Sequence, residues 1–345
     1  MIKPKNLLLI RSDRIGDVIL SLPLAEIIKK HYPDCRITFL LRDYTKDLAQ
    51  LNPFIDEILV LKEIDGEIDI KSNLSMLKEK HFDTCITVYP TLKIAWLVFR
   101  TGIRNRIGSG YRWYSILFNK KVFEHRKYAD KHELEYNVNL LKEIGIDETI
   151  TKDNVHFFID IEKSVEAEVN KVLLDNGINT NKPIVIVHPG SGGSAVDLPV
   201  EKFKQLVELL VNSNIQVLVT GSESEKAFCE NLVVNSSVKN FAGKFSLKEL
   251  VALINKADVF VSNSTGPIHI AAALNKHTLG FYPHLTACLP KRWGPYSNKS
   301  KIYMPENDCE DCRNNRCTKT ECMNTINIKK VHSDIIEIIK SFNKE

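Results

Sequence analysis

Long apolar runs are absent from this sequence of 345 residues, and so is a large excess of charge of one sign. A membrane-spanning helix needs roughly 18 or more consecutive apolar residues. The longest apolar run here, around residues 94–99, is only a fragment typical of a helix that packs into a core. The formal net charge of +4 argues against a dedicated nucleic-acid-binding protein, although it permits local basic patches for phosphorylated substrates.

The composition is that of a globular protein, with 43% hydrophobic and 26% charged residues. This balance excludes disordered and fibrous classes, and at roughly 150 residues per domain the length predicts two domains. The basic start of the chain carries only four apolar residues before Arg11 and has no small-residue cleavage site. We therefore predict a first β-strand of a cytosolic protein, with contact to a membrane surface left open.

Short β-branched runs alternate with longer amphipathic segments, which indicates βαβ units and parallel sheets. The predicted strands are 6–11, 36–41, 57–61, 83–89, 121–124, 183–188, 215–220, 238–241, 257–262 and 278–282. The predicted helices are 22–31, 73–80, 91–101, 162–174, 200–212, 224–234, 246–255, 266–274 and 328–342.

A polar, turn-rich stretch at 175–183 is the predicted joint between two domains. We expect an α/β fold with two Rossmann-like, doubly wound domains, 1–175 and 183–327, facing one another across a cleft. A closing helix would occupy 328–345. In such sheets ligands bind beyond the carboxyl ends of the strands, so the loops that follow the strands carry the candidate site.

The loop after the first strand contains Gly16 and Asp17, with Arg11 and Arg14 nearby. Gly16 permits a tight turn before a helix start, and the arginines could hold acidic groups of a substrate. Asp17 could then accept a proton from a substrate hydroxyl, or it could simply cap the helix.

The second loop follows strand 183–188 and contains His188, Gly190, Ser191 and Ser194. Its three glycines and two serines would let backbone N–H groups approach a phosphate closely. It matches neither a Walker loop nor the G-x-G-x-x-G spacing. A phosphate or sugar-nucleotide cradle and a flexible connector are the two interpretations.

The third loop, Ser264, Thr265 and Gly266, precedes an alanine-rich helix that carries His269. The positive end of this helix would favour a diphosphate, whereas an ordinary capped helix is the alternative. Two further segments fit a nucleotide site: Glu225 could accept hydrogen bonds from ribose hydroxyls, and Lys244 with Phe245 could contact a purine. Both also resemble helix starts.

The chain resembles glycosyltransferase family 9, the ADP-heptose:lipopolysaccharide heptosyltransferases. The resemblance rests on four motifs taken in order, followed by a cysteine-rich tail: RIGDVILSLP at 14–23, HPGS at 188–191, NSTGPIHIAAA at 263–273 and WGP at 293–295.

This resemblance implies a GT-B fold, with the acceptor on the N-terminal domain and the nucleotide sugar on the C-terminal domain. It implies inverting, metal-independent transfer of a heptose from ADP-heptose onto the inner core of lipopolysaccharide, without a cofactor or a nucleic-acid partner. Asp17 would be the general base, and backbone donors at Thr265 and Gly266 would stabilise the diphosphate. Glu225 matches the ribose-binding carboxylate, and Phe245 falls where the adenine is contacted.

Two positions depart from the family pattern. Val196 stands where members commonly carry Lys or Arg, and Ser264 stands where many carry aspartate. Lys244, Lys291 or Arg292 could replace the missing cation. The departures leave two alternatives open, a transferase of the same fold that uses another nucleotide sugar and a non-catalytic sugar-nucleotide-binding relative.

The basic segment at 100–112, with Arg104 and Arg106 beside Tyr111 and Trp113, predicts binding of the anionic acceptor or of the inner-membrane surface, unless it is only a solvated face. The tail cysteines Cys309, Cys312, Cys317 and Cys322 could hold a structural zinc or form a reduced or disulfide-linked loop.

Overall fold

The computed structural model describes residues 2–193, 195–306 and 321–342. The chain divides into two compact units, each built around its own parallel sheet. The first unit comprises the chain up to Arg126 together with Asp130–Asp160, and the second comprises Lys127–Ala129 and the chain from Ile161 onward.

The first unit contains a parallel sheet of six strands in the order β3-β2-β1-β6-β7-β8, and a small antiparallel hairpin, β4-β5. The strands are β1 (Asn6–Ile10), β2 (Arg36–Leu41), β3 (Glu57–Val60), β4 (Glu63–Ile64), β5 (Glu67–Ile68), β6 (Thr84–Thr87), β7 (Asn105–Ser109) and β8 (Lys120–Val122). Its α-helices are α1 (Ile15–Ile19), α2 (Pro23–His31), α3 (Ile70–Glu79), α4 (Leu92–Thr101) and α5 (Glu133–Asn139).

The second unit repeats the plan with a parallel sheet in the order β11-β10-β9-β12-β13-β14. The strands are β9 (Ile184–His188), β10 (Gln216–Val219), β11 (Lys239–Asn240), β12 (Val259–Asn263), β13 (His277–Phe281) and β14 (Ser300–Tyr303). The helices are α6 (Lys163–Asp175), α7 (Val200–Asn212), α8 (Lys226–Glu230), α9 (Leu247–Lys256), α10 (Gly266–Ala273), α11 (Pro290–Trp293) and α12 (Ile328–Phe342).

Runs of adjacent apolar residues explain the central strands. All five residues of β9, IVIVH, are buried, as expected for a strand covered on both faces of a parallel sheet. Helices α7 and α12 cover one face of the second sheet and bury Phe203, Leu206 and Ile335 in one hydrophobic cluster. A separate cluster in the first unit joins β1 and β6 to α3 and α4.

The predicted elements are largely confirmed, but two strands of the parallel sheets, the short hairpin β4-β5 and helix α5 were missed. β7 and β14 were not predicted because NRIGS and SKIY lack the apolar run of a buried strand. The segment at 100–112, interpreted as a basic face, therefore contains the end of α4 and a sheet strand. The helix predicted at 224–234 is instead a 3₁₀ turn, Glu223–Glu225, followed by the short α8.

The boundary between the two units lies before α6, whereas the prediction placed it after this helix, at residue 175. This helix belongs to the second unit, where it packs on α9 and Lys256 Nζ lies 2.5 Å from Glu166 Oε1. Within the described ranges, no helix combines the length and apolar character needed to cross a bilayer.

Candidate active site

Each sheet has one topological switch point, where the strand order reverses. In the first sheet, β1 lies between β2 and β6, so the loops after β1 and β6 diverge at the carboxyl edge. Open α/β sheets bind ligands in the crevice at such a point. The loop after β1 carries Arg11 and Asp17, so the sequence motif lies where this architecture places a ligand.

The Arg11 side chain is buried and organises this loop. Its guanidinium donates to Asp13 Oδ1 at 2.6 Å, to Asp17 Oδ1, and to Glu133 Oε1 at 3.4 Å. Glu133 is itself buried and pairs with Arg126. Although burial would lower the pKa of Arg11, the three carboxylates raise it, so Arg11 stays charged.

Asp17 lies in the first turn of α1, and Arg11 holds its carboxylate at 14% exposure. Burial raises the pKa of Asp17 to about 6, because the ionised carboxylate loses hydration. The Arg11 guanidinium opposes this rise, and the carboxylates of Asp13 and Glu133 add to it. A carboxylate that titrates near 6 is ionised at neutral pH and is a better base than an ordinary aspartate.

The four predicted acceptor-binding arginines do not lie together. Arg14 is exposed beside the Asp17 loop, whereas Arg11 is buried in its ion pairs. Arg104 precedes β7, whose first residue, Asn105, is aligned with Thr84 at the amino edge of the sheet. Arg106 donates to the carbonyls of Ile103 and Leu117 at 2.6 and 3.0 Å, so its guanidinium braces the backbone.

In the second sheet the order reverses at β9, which lies between β10 and β12. Asn263, at the end of β12, ties the two diverging loops together. Its Nδ2 donates to the carbonyl of Pro189 at 2.6 Å, and its Oδ1 accepts from the Leu198 backbone at 2.8 Å. The glycine-rich loop and the Thr265-Gly266 loop are thus held at one carboxyl edge.

His188 is neutral in this site. Burial lowers the pKa of His188 to about 4, although Glu225 opposes the shift, and its Nδ1 lies 3.0 Å from Thr220 Oγ1. Burial also raises the pKa of Asp197 to about 6, which the nearby Ser191 hydroxyl opposes and Glu225 reinforces. The glycine-rich loop therefore carries a partly buried acid, Asp197, beside Ser191, which was predicted to bind the donor.

Glu225 links the loop after β10 to the glycine-rich loop. Its Oε2 accepts from the Ser222 backbone and hydroxyl, each at 2.8 Å, and the carboxylate also accepts from the Gly192 backbone. Although burial would raise the pKa of Glu225, these hydrogen bonds lower it. The carboxylate occupies the space that a side chain at Gly190 would need.

Helix α10 begins at the same edge. Thr265 is its N-cap with extended backbone, and its side chain makes no capping hydrogen bond to the helix. The first-turn N–H groups of such a helix favour anions. Ser264 lies beside the buried hydroxyl of Tyr282, which donates to the Trp293 carbonyl at 3.1 Å, and His269 is buried within α10.

Lys244 and Phe245 follow β11, the outermost strand of the second sheet, which pairs with β10. Lys244 Nζ lies 5.1 Å from the centroid of the Phe241 ring, and the centroid of the Phe245 ring lies 5.5 Å from that of Phe241.

Ser194, which was predicted to bind the donor, lies outside the described residues, as do Cys309, Cys312 and Cys317. Among the residues the structure describes, no three His, Cys, Asp or Glu side chains cluster as metal ligands would.

Sequence reasoning missed the partners that organise these loops. Glu133 lies 122 positions from Arg11, and no local motif connects the two residues. Asn263 is the first residue of the NSTGPIHIAAA motif, but its hydrogen bonds to Pro189 and Leu198 depend on the strand order. Asp197 directly follows Val196, and nothing in the sequence indicates the partial burial that raises its pKa.

Two Rossmann-like units of this kind define the GT-B class of glycosyltransferases, a class to which the similar solved structures also belong. The family model of glycosyltransferase family 9 (heptosyltransferase) matches residues 72–323. The chain belongs to this family and is a glycosyltransferase.

Similar proteins cover nearly the whole chain. A Haemophilus influenzae protein named "Putative glycosyltransferase" is 30% identical over 308 residues, which are 86% of this chain and 88% of that protein. The crystal structure of a family 9 glycosyltransferase from Veillonella parvula matches with a TM-score of 0.85 at 18% identity, covering 98% of this chain and 97% of that one. The E. coli ADP-heptose lipopolysaccharide heptosyltransferase II gives 0.80 at 19% identity, covering 98% and 99%.

Proposed function

We propose that this glycosyltransferase transfers a heptose from ADP-heptose to a sugar of the lipopolysaccharide inner core, with inversion and without a metal ion. The first unit binds the acceptor and the second binds the nucleotide sugar. The observation that carries the proposal is the partly buried Asp17 carboxylate, which Arg11 holds at the switch point of the first sheet and whose pKa burial raises to about 6. The name of the similar E. coli enzyme supports the choice of ADP-heptose.

The proposed step is a single displacement. Asp17 takes the proton of the acceptor hydroxyl while that oxygen forms a bond to the anomeric carbon of the heptose. The bond between the anomeric carbon and the diphosphate oxygen breaks, and ADP leaves with the electron pair. Attack from the face opposite ADP inverts the anomeric centre.

The leaving diphosphate is stabilised by the start of α10 in this proposal. Backbone N–H groups of Thr265 and Gly266 face the developing charge, and the positive end of the helix adds to their effect. The glycine-rich loop, fixed by Glu225 and Asn263, supplies further backbone donors. His188 contributes no positive charge at neutral pH, since its pKa is about 4.

Asp17→Asn tests the base. We expect kcat to fall by about 10²–10⁴-fold because the amide cannot accept the proton, while the Kd for ADP, measured by calorimetry, stays within about twofold of the wild-type value. Asp43→Asn is the matched control, since Asp43 is an exposed aspartate of the same unit. Unchanged kcat in Asp17→Asn would refute the assignment.

A different nucleotide sugar is the second candidate donor, favoured by the partly buried acid Asp197 beside Ser191 in a loop expected to face phosphate. Turnover of the purified enzyme with ADP-, UDP- and GDP-sugars distinguishes the two candidates. Preference for ADP-heptose is expected. Faster turnover of a UDP- or GDP-sugar would replace the donor while leaving the role of Asp17 intact.

A further inference from the structure

The charge of this chain is unevenly distributed. Between residues 84 and 123 there is no Asp or Glu, although the whole chain is nearly balanced at +4. The same stretch contains the cations Lys93, Arg100, Arg104, Arg106, Arg112, Lys120 and Lys121. This segment of the first unit is therefore strongly cationic.

Large apolar side chains are exposed along the same segment. Trp113 and Ile116, on the 3₁₀ turn Trp113–Leu117, are 77% and 78% exposed, and Phe123 is 62% exposed. The outer face of α4 adds Leu92, Trp96 and Phe99, each more than 40% exposed. We call these six residues the aromatic patch. The outer face of α4 thus presents three large apolar side chains beside the cations Lys93 and Arg100, whereas an ordinary surface helix is polar there.

The structure holds the patch in shape. The Trp96 and Phe99 rings stack at 5.9 Å, and the Arg106 guanidinium lies 5.5 Å from the Phe99 ring while it donates to the Leu117 carbonyl. Tyr114 Oη donates to the Pro90 carbonyl at 2.8 Å, which ties the 3₁₀ turn to the segment before α4. These exposed side chains thus belong to a surface that ring contacts and hydrogen bonds hold in place.

The patch reaches the edge of the sheet that carries Asp17. The 3₁₀ turn follows β7, Phe123 follows β8, and α4 starts after β6, all at the carboxyl ends of these parallel strands. The Asp17 loop follows β1 at the same edge. A surface that held the patch would therefore lie on the side of the first unit where the acceptor hydroxyl is needed.

We infer that the aromatic patch and its surrounding cations form a docking surface for an anionic lipid bilayer. Trp and Phe rings favour the boundary between headgroups and acyl chains, and Lys and Arg are attracted to anionic headgroups. Trp, Phe and Arg are also common in protein interfaces, but Lys is depleted there, so Lys93, Lys120 and Lys121 favour a bilayer over a protein partner. The inference deepens the proposed function, since a lipid-linked acceptor would be presented at such a surface.

Cosedimentation of the full chain with vesicles tests the inference. The vesicles contain phosphatidylethanolamine and phosphatidylglycerol at about three to one, or phosphatidylcholine alone as the neutral comparison. We expect binding to the anionic vesicles only, reduced by about tenfold or more in the variant Trp113→Ser/Ile116→Ser/Phe123→Ser. The exposed residues Ile64, in the first unit, and Leu174, in the second, supply the controls Ile64→Ser and Leu174→Ser, which should bind as wild type.

A charge variant separates the electrostatic contribution. Lys120→Glu reverses an exposed cation of the segment and should weaken binding in low salt, with less effect in high salt. Thermal unfolding checks that each variant is folded. Equal binding by the triple variant and the wild type would overturn the inference, as would equal binding to neutral and anionic vesicles. Self-association of the wild type through the patch, without vesicle binding, would also overturn it.

Failure of this inference is distinguishable from failure of the proposed function. The vesicles contain no acceptor, so binding does not depend on transfer. With a water-soluble acceptor fragment, the triple variant should keep the wild-type kcat, whereas Asp17→Asn should lose turnover and still bind vesicles.

Discussion

Arg11 shows how a single residue can have a role different from the one its sequence position suggests. Arg11 lies six positions before Asp17 and was predicted to bind the acceptor. In the structure it is 1% exposed and contacts three carboxylates. A buried cation of this kind needs such partners to offset its lost hydration. Arg11 is thus a positioning residue for Asp17, and Arg14 remains the exposed cation of this loop.

The carboxylate of Asp13 gives a test of the charge balance around Asp17. Asp13 raises the pKa of Asp17, so Asp13→Asn should lower it and move the acidic limb of the kcat/KM profile from about 6 to lower pH. The sign is fixed, because the base is active when ionised and loses activity as the pH falls through its pKa. The measurement is a pH profile between about 4.5 and 7.5, about 1.5 units to either side of the limb.

The control for this profile is Asp43→Asn, which removes an exposed carboxylate at the start of the 3₁₀ helix Asp43–Leu48. Its acidic limb should coincide with that of the wild type. A limb that moves to higher pH in Asp13→Asn would contradict the assignment of the limb to Asp17.

At the scale of elements, Asn263 connects the end of β12 to two segments of the loop after β9. Replacing it with Ala leaves the Leu198 N–H and the Pro189 carbonyl without this partner, so the loop should loosen. We expect the Kd for ADP to rise by about tenfold, equivalent to about 1.4 kcal/mol. Titration calorimetry with ADP measures the change.

Asn176→Ala is the matched control for Asn263. Asn176 follows α6 in the same unit, ahead of the amino end of β9, and its Nδ2 donates to the Val172 carbonyl at 2.8 Å. Its loss should leave the Kd for ADP within about twofold of the wild-type value. Equal weakening in both variants would indicate a general loss of stability and would contradict a specific role for Asn263.

The sequence predicted those strands well whose buried residues form a continuous apolar run. β2 has the predicted bounds, and β9 and β12 differ by a residue or two, because each is a run of buried apolar residues. β7 has a single fully buried apolar side chain, Ile107, so its pairing with β6 is fixed by the sheet and leaves no mark on the sequence.

The sequence predicted which loops carry the candidate site, but not the hydrogen bonds and ion pairs that hold these loops. The loop after each central strand followed from the α/β pattern, since ligands bind at carboxyl edges. The neutral state of His188 and the ion pairs of the buried Arg11 depend on residues distant in sequence, such as Glu225 and Glu133. Such contacts are properties of packing, which a single sequence does not specify.

At the scale of the molecule, the two units have separate hydrophobic clusters, and a buried polar network anchors α12 to the second sheet. Asp334 accepts from Lys301 and Lys330 at 2.9 Å and from Tyr303 at 2.6 Å. Although burial would raise the pKa of Asp334, these hydrogen bonds lower it to about 2.

Asp334→Asn should therefore lower the unfolding free energy of the second unit by about 1–3 kcal/mol at pH 7. The stabilisation exists above the unfolded pKa, about 3.9, and disappears as the pH falls through the folded value of about 2. The difference between wild type and variant should thus shrink below pH 4. Hydrogen exchange measures it, and amides of the first unit should keep their protection. Equal loss in both units would contradict separate cores.

The carboxylate of Glu225, lodged against Gly190, has a consequence for how this chain can vary. A side chain at 190 would displace this carboxylate, because its Cβ would occupy the place of the Glu225 oxygens. An alanine at 190 would therefore move the carboxylate away from the Ser222 and Gly192 donors that it accepts from. The shape of the glycine-rich loop is thus encoded partly in a residue 35 positions downstream of Gly190.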